Sequence, residues 1–400
     1  MPTSAPQKLR NVNVFAASLF LDSFAKRKKY KTMWKETKVV KNVEYYNFDA
    51  RYGAYATNES DGSSVIYIAG KEFHTRKATR VRSYEGKVVI QTRGESSSND
   101  AMLYTKEGKL LNVVNNTIPS SYNTNLRYLN VFMLGGDDYD GCYNLVDIET
   151  GMAIFKEYVH GRELFVFNDM IFSNRDNTII RYDWDGSIMW QHNYEPDFNV
   201  KINLGFVMEG VCGGKLWVKS ELDRHEILLA IDVKTSELVK AFSDFDEDTN
   251  LPHCNLGRIS GVHLNCKNDQ ILLSASEDHK PYMIILNAKT LEVVEKNERT
   301  INFDYLEGEE YGFRISEFYG DYITVKMGTY NSDVCNNSGF AVYNYKTKEV
   351  VLAHRLFTPE QSQDGLGISP LSPLHYSPNN SKILVHDRWN TLHIFEDVKE

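Results

Sequence analysis

Apolar pairs recur along this chain on either side of short polar turns. Leu145–Ile154, Ala230–Val239, Ile285–Val294 and Val342–Val351 share one pattern: apolar pair, Asp or Asn, a variable residue, Lys or Glu, Thr, two turn residues, apolar pair. Asp147, Asp232, Asn287 and Asn344 can each accept a hydrogen bond from the backbone two residues on, and Thr150, Thr235, Thr290 and Thr347 can do so more weakly. Each unit therefore predicts a β-hairpin. Tyr104–Gly108 and Tyr182–Gly186 are shorter versions in which glycine supplies the positive φ of a tight turn. Ile66–Gly70, running into Lys71–His74, is a seventh and less regular one.

Successive hairpins lie roughly 36 to 57 residues apart, and each interval holds two more strand-like runs, such as Glu163–Phe167 and Met170–Ser173. Four strands per repeat at that spacing predict an all-β fold, a β-propeller of four-stranded blades. Near the C-terminus, Lys382–His386 and Thr391–Phe395, with Pro373–Ser377, read as three strands of a blade that lacks its outer one. Tyr30–Glu36 resembles the outer strand Gly186–Gln191, so this N-terminal strand is expected to complete that blade and close the ring. The expected count is eight blades, with seven the alternative if the hairpin at Ile66 is not one. Residues 1–29 form an N-terminal extension in this reading, and 30–400 a single propeller domain.

The units resemble the repeat of the PQQ-type, quinoprotein-like β-propeller superfamily, which reads apolar-Asp-x-Lys-Thr-Gly-x-apolar-apolar-Trp. Leu145–Phe155 and Tyr182–Trp190 are the nearest matches. The resemblance implies radial four-stranded sheets. Only Trp190 occupies the tryptophan position of that repeat, and no two cysteines are adjacent to pack on a quinone, so the resemblance implies no cofactor.

Composition agrees with an all-β chain: aromatic residues make up 12% and suit half-buried pleated faces, and only 10 of 400 residues are proline. No run reaches the apolar length of a membrane span. Lys8, Arg10 and the stretch Val14–Leu21 imitate a secretion signal but end in Asp22. Five cysteines without CxxC spacing suit a reducing compartment, so the expected location is cytoplasmic and the Asn-x-Ser/Thr matches at Asn58, Asn115, Asn336 and Asn379 are chance.

Motifs that carry chemistry fail one by one. Gly210–Gly214 matches a nucleophile elbow with cysteine, yet Lys215–Val218 reads as a strand where the elbow needs a helix. Asp244, Asp246, Asp248 and Asn250 alternate like a calcium loop, but Thr249 and Asn255 stand where Gly and Glu belong. His253-Cys254 has no second pair at metal-binding spacing, and Pro370 follows Gly365-Leu366-Gly367 where a phosphate-binding helix would open. No metal site is expected. Lys26–Lys29 with Lys31 reads as a lysine-rich edge that blocks strand addition, and no nucleic acid is expected on an acidic chain.

The remaining signal is charge. The long connections opposite the hairpin turns are acidic, and their summed charge exceeds the −9 of the whole chain, so the remainder is net positive. The candidate binding residues are Asp137, Asp138, Tyr139 and Asp140; Glu221 and Asp223; Asp244, Phe245, Asp246, Glu247 and Asp248; and Tyr305, Glu307, Glu309, Glu310 and Tyr311. Aromatic anchors among charges are what binding hot spots carry. The expected function is a non-catalytic scaffold, monomeric by itself, whose acidic face captures a basic protein as an inhibitor, immunity-type protein or adaptor. The alternative is a hydrolase or lyase with its site at the central channel mouth, since propeller enzymes draw single residues from many blades.

Overall fold

The computed structural model describes residues 33–44, 46–49, 53–94, 99–118, 125, 127–133, 142–156, 159–160, 163–175, 177–198, 207–222, 225–244, 253–277, 280–298, 300–302, 310–329, 337–347, 349–363, 365–369, 372, 374–377 and 381–398. The predicted turn chemistry is present at all four full hairpins. Asp147 Oδ1 accepts from Glu149 N at 2.9 Å, and Asp232 Oδ1 from Lys234 N at 2.8 Å and Thr235 N at 3.1 Å. Asn287 Oδ1 accepts from Lys289 N and Thr290 N at 2.8 and 3.1 Å, and Asn344 Oδ1 from Lys346 N and Thr347 N, both at 3.1 Å. The residue after the threonine is left-handed: Gly151 at φ 72°, Ser236 at 64° and Leu291 at 62°. Leu291 tolerates that conformation because its side chain is buried in the core.

The strands assemble into seven sheets in a β-propeller arrangement. In chain order, sheet I holds residues 48–76 and sheet II 78–160. Sheets III, IV, V and VI hold 165–193, 207–255, 258–298 and 300–355. Sheet VII combines His375–Ser377, Lys382–His386 and Leu392–Val398 with the N-terminal strand Met33–Val40, which runs antiparallel along the last of these from Met33 opposite Val398 to Val40 opposite Leu392. Lys71–Arg76 and Ile188–Asn193, the last strands of sheets I and III, are largely exposed, which sets them outermost, whereas Phe48–Asp49 and Phe165–Phe167 at the other end are buried.

Seven sheets replace the eight blades that the repeat spacing favours. The cause is not the irregular first hairpin, which is real: Ile68 pairs with Lys71 across Ala69 and Gly70, both at positive φ. It lies in sheet II, where Leu110–Thr117, which follows the hairpin unit at Tyr104, and Tyr128–Met133, which precedes the unit at Leu145, join through the pair Val131 and Thr117, with Ile118 N donating to Asn130 O at 2.8 Å. Seven consecutive strands thereby share one ladder.

Each sheet is apolar on both faces and buries them against its neighbours in sequence. Sheets III and IV enclose Phe172, Leu216 and Leu229; IV and V enclose Trp217, Phe242 and Leu273; V and VI enclose Leu272, Ile323 and Val325. VI and VII enclose Phe340, Val385 and Phe395, and VII and I enclose Phe48, Tyr55 and Leu384. Within sheet II, the two strand groups are themselves packed face to face over Val89, Leu103 and Leu129. Among the described residues helix is confined to Glu195–Asp197 and Pro359–Gln363, and no helix is long and apolar enough to cross a membrane.

One close approach tests this packing. Gly213 and Gly214 form the turn between Val207–Cys212 and Lys215–Leu222 of sheet IV, both with positive φ. A Cβ on Gly213 would meet the carbonyl carbon of Ala288, on a sheet V hairpin, at 2.5 Å, whereas one on Gly214 would meet nothing within 4 Å. Both alanine substitutions bear the left-handed cost of about 1 kcal/mol. Gly213→Ala should destabilise by about 1–3 kcal/mol more, because the neighbouring backbone must move. Urea unfolding of the two variants checks this, and equal losses would contradict so tight a contact between sheets IV and V.

Candidate functional site

The hairpin turns of the repeat lie at one end of sheets I to VI, the lower edge, and the candidate acidic residues lie at or beyond the other, the upper edge. In sheet IV the register sets Glu221 opposite Glu226, two carboxylates across a pair of strands. Phe242 lies opposite Leu228, so Asp244, two residues further on, reaches the level of Glu226. Glu221 is exposed and Glu226 half-buried. Lys219 Nζ stands 3.4 Å from Glu226 Oε1, while Glu226 Oε2 is buried without a hydrogen-bond partner.

Beneath this edge, Glu209 is the extra residue of a bulge in the innermost strand, between Met208 opposite Val218 and Gly210 opposite Trp217. Burial pushes its carboxyl up to about 7, with Lys219 pulling it down and Glu226 pushing it further up. The upper end of sheet IV therefore carries four acidic groups, Glu209, Glu221, Glu226 and Asp244, with Lys219 acting on Glu226 and Glu209, and Glu209 holds a proton close to neutrality.

The sequence-predicted residues divide by sheet. The stretch after Asp244 is anchored at both ends, since Ala241, Phe242 and Ser243 pair in parallel with His253, Cys254 and Asn255. Phe245, Asp246, Glu247 and Asp248 lie between those anchors and outside the described residues, as does Asp223 between Leu222 and His225. Asp137, Asp138, Tyr139 and Asp140 also lie outside them, between Met133 and Cys142, which face each other at the upper end of sheet II. In sheet VI the backbone of Glu310 and Tyr311 pairs with Asn302 and Ile301, and Tyr305, Glu307 and Glu309 fall in the undescribed connection between them. The short strand Thr300–Asn302 flanks the inner side of Glu310–Tyr319, away from the outer strands of its sheet. Glu221, Glu226 and Asp244 are thus brought onto one sheet edge, and Glu310 and Tyr311 onto the corresponding edge of sheet VI. Glu277 between them, on sheet V, is paired with Lys296 at 2.6 Å.

The described chain also concentrates chemistry that the sequence reading did not single out. At the junction of sheets VI and VII, Lys326 Nζ donates to Ser369 O at 2.7 Å and also to Ser372 O. The Ser372 hydroxyl lies 2.8 Å from His386 Nδ1, and His386 Nε2 lies 2.5 Å from the carbonyl oxygen of Val43, which can only accept. Nε2 therefore carries the proton and Nδ1 accepts from Ser372. Burial brings Lys326 down to about 7 and lowers His386. A serine, a neutral histidine and a near-neutral lysine resemble a nucleophilic set, but Ser372 is 1% and His386 2% exposed. With their polar atoms turned onto one another and onto backbone carbonyls, they pin the connection through Ser369 and Ser372 to sheets VI and VII.

A second cluster joins the N-terminal strand to sheet VII. His393 Nδ1 meets Glu36 Oε1 at 2.6 Å, and Nε2 meets Asp387 Oδ2 at 3.4 Å. Burial lowers the imidazole pKa, but hydrogen bonds to Asp387 and Glu36 outweigh it and raise it overall. Neither cluster has a local sequence signal, since its members come from distant parts of the chain. Among the described residues no group of three His, Cys, Asp or Glu side chains could hold a metal ion.

No protein-family model and no curated protein matches the chain. Solved structures of β-propeller proteins are similar to it at low identity. The β-propeller domain of the Trilobed protease from Pyrococcus furiosus is 12% identical, over 80% of this chain and 98% of that one, with a TM-score of 0.46. Apo AztD from Citrobacter koseri is 12% identical over 79% and 86% of the two chains, at 0.44. Hsv2 from Kluyveromyces lactis is 11% identical over 76% and 87%, at 0.39. These similarities bear on no function, and of the PQQ-type resemblance only the propeller fold, seen in the sheets themselves, is supported.

The elevated pKa of Glu209 has a measurable consequence. Between about pH 4.5 and 7 the folded state keeps a proton that the unfolded state releases, so this group's contribution to stability is present below that window and is lost as pH rises through it. Glu209→Gln, neutral at every pH, should remove that decline and gain about 1–3 kcal/mol on the parent at pH 8. Urea unfolding from pH 5 to 8 tests this; parallel pH curves would contradict the assigned environment.

Proposed function

We propose that the protein is a non-catalytic binding scaffold whose acidic upper edge captures a basic protein, in the manner of an inhibitor, an immunity-type protein or an adaptor. The observation that carries this reading is the arrangement of sheet IV. Glu221, Glu226 and Asp244 share one edge of a sheet packed on both faces, with Lys219 beside Glu226, and Ser243 and Asn255, which flank the acidic stretch, are paired side by side. Carboxylates opposite one another across strands weaken the sheet that carries them. They suit a surface that meets positive charge. Held on a rigid platform, they steer a basic partner by long-range attraction.

The second reading, a hydrolase or lyase acting at the channel mouth, is favoured by Glu209. Its carboxyl sits on the innermost strand of sheet IV with a pKa of about 7, the value a general acid or base needs.

One finer feature of the fold belongs to the same proposal. Met33–Val40, paired with Leu392–Val398, closes the ring of seven sheets. Deleting residues 1–40 would leave Leu392–Val398 as an open edge and remove the contacts of Trp34, Glu36 and Lys38. The melting temperature should fall by at least about 5 °C. An unchanged value would argue against closure by this strand.

Immobilised protein should retain a basic protein from an extract of its native organism at low salt and release it at high salt. With the recovered partner, the double variant Glu221→Gln, Glu226→Gln should slow association by about three- to tenfold with little change in dissociation. Tyr311→Ala should instead speed dissociation by the equivalent of about 1–4 kcal/mol if Tyr311 is an anchor. A partner that binds these variants with parental kinetics would refute the assignment of the acidic edge. Loss of a catalysed turnover in Glu209→Gln, with binding intact, would favour the second reading.

A further inference from the structure

Two thiols meet at the lower edge between sheets IV and V. Cys212 ends the innermost strand of sheet IV, and Cys266 opens the turn that follows the innermost strand of sheet V, Arg258–Asn265. Cys266 Sγ lies 3.2 Å from the carbonyl oxygen of Val211, the peptide that leads into Cys212. Cys212 Sγ lies 4.0 Å from the carbonyl oxygen of Gln270, just beyond the turn that carries Cys266. Each sulfur thus lies against the backbone of the segment that carries the other, Cys266 on the residue before Cys212 and Cys212 on the end of the turn that Cys266 opens.

The surroundings hold this arrangement in place. Trp217 Nε1 donates to Cys212 O at 3.1 Å, and Gly213 lies against the backbone of Ala288. The two thiols differ in access: Cys266 is exposed, while Cys212 is 1% exposed. They also differ in acidity. Interaction with Cys266, together with burial, raises the thiol of Cys212, while interaction with Cys212 lowers that of Cys266, so the exposed residue carries the thiol that ionises more readily. Cys142 and Cys254, the other cysteines among the described residues, belong to other strands and are half-buried.

We infer that Cys266 and Cys212 form a hydroperoxide-reactive dithiol site, Cys266 attacking and Cys212 resolving, whose product is a disulfide joining sheets IV and V. In the first step the Cys266 thiolate attacks one peroxide oxygen. The S–O bond forms as the O–O bond breaks, the departing hydroxide takes a proton to become water, and Cys266 becomes a sulfenic acid. In the second, Cys212 sulfur attacks the sulfenyl sulfur, the S–S bond forms as the S–O bond breaks, and the thiol proton leaves with the oxygen as a second water. Sulfur is oxidised by two electrons overall and one peroxide is reduced to two waters. A dithiol reductant returns the pair to the starting state.

The test treats the full-length protein with micromolar hydrogen peroxide, quenches with an alkylating agent and maps peptides without reduction. A cross-linked 212–266 peptide should dominate and form at least about tenfold faster than the half-buried Cys142 or Cys254 loses its thiol, as expected for an exposed thiol with a resolving partner beside it. In Cys212→Ala the sulfenic acid on Cys266 should persist and be trapped by dimedone, and Cys266→Ser should leave Cys212 reduced. The inference is overturned if Cys212 in the parent stays alkylatable while Cys266 is oxidised, or if Cys266 pairs with a second copy instead. The parent's peptide map decides this even if a variant folds poorly.

Discussion

Every sheet of this protein is apolar on two faces, and no single sheet can cover both. That constraint is what the rest of the structure depends on. A strand such as Leu216–Val218 sends Leu216 and Val218 toward sheet III and Trp217 toward sheet V, because successive side chains point to opposite faces. Burial is complete only when a neighbour stands on each side, so the stability of one unit is conditional on the next. The close contact of Gly213 with Ala288 and the indole bond from Trp217 to Cys212 are local expressions of the same demand, and they bring the two thiols of sheets IV and V together.

Rigidity at the core gives meaning to the charge at the rim. Sheet IV is enclosed by two of the larger apolar clusters, and its Trp217 is fully buried. Its upper edge can therefore hold Glu221 opposite Glu226 without the strands separating. Glu209, one layer below, absorbs part of the cost by keeping a proton, which lessens repulsion within the cluster near neutral pH. The acidic edge is a feature of a stiff platform, and under the proposed function that stiffness lowers the ordering penalty of capturing a partner.

How much of this was legible in the sequence follows from the range of each interaction. The Asx turns at Asp147, Asp232, Asn287 and Asn344 involve neighbours two or three residues apart, and their pattern announced both hairpins and spacing. The pairing of an N-terminal strand with the last strand was also visible, through the likeness of Met33-Trp34 to Met189-Trp190. The sheet count was not, because the pair between Thr117 and Val131 depends on how one repeat meets the next. The buried set of Lys326, Ser372 and His386, the clasp of His393 with Glu36, and the contact of Cys212 with Cys266 were equally hidden, since each is assembled by the curvature of the whole fold. The acidic residues were readable as a class. Their alignment across sheet IV is a matter of register, and register is settled only when the strands pair.

Amide hydrogen exchange on the full chain, with and without the proposed basic partner, distinguishes the upper edge from the hairpin edge and the outer strands as the surface that would meet it. Added protection is expected over residues 221–226, 244–256 and 300–312, with the turns at Asp232, Asn287 and Asn344 unchanged. Protection confined to those turns, or to the outer strands Lys71–Arg76 and Ile188–Asn193, would rule the upper edge out.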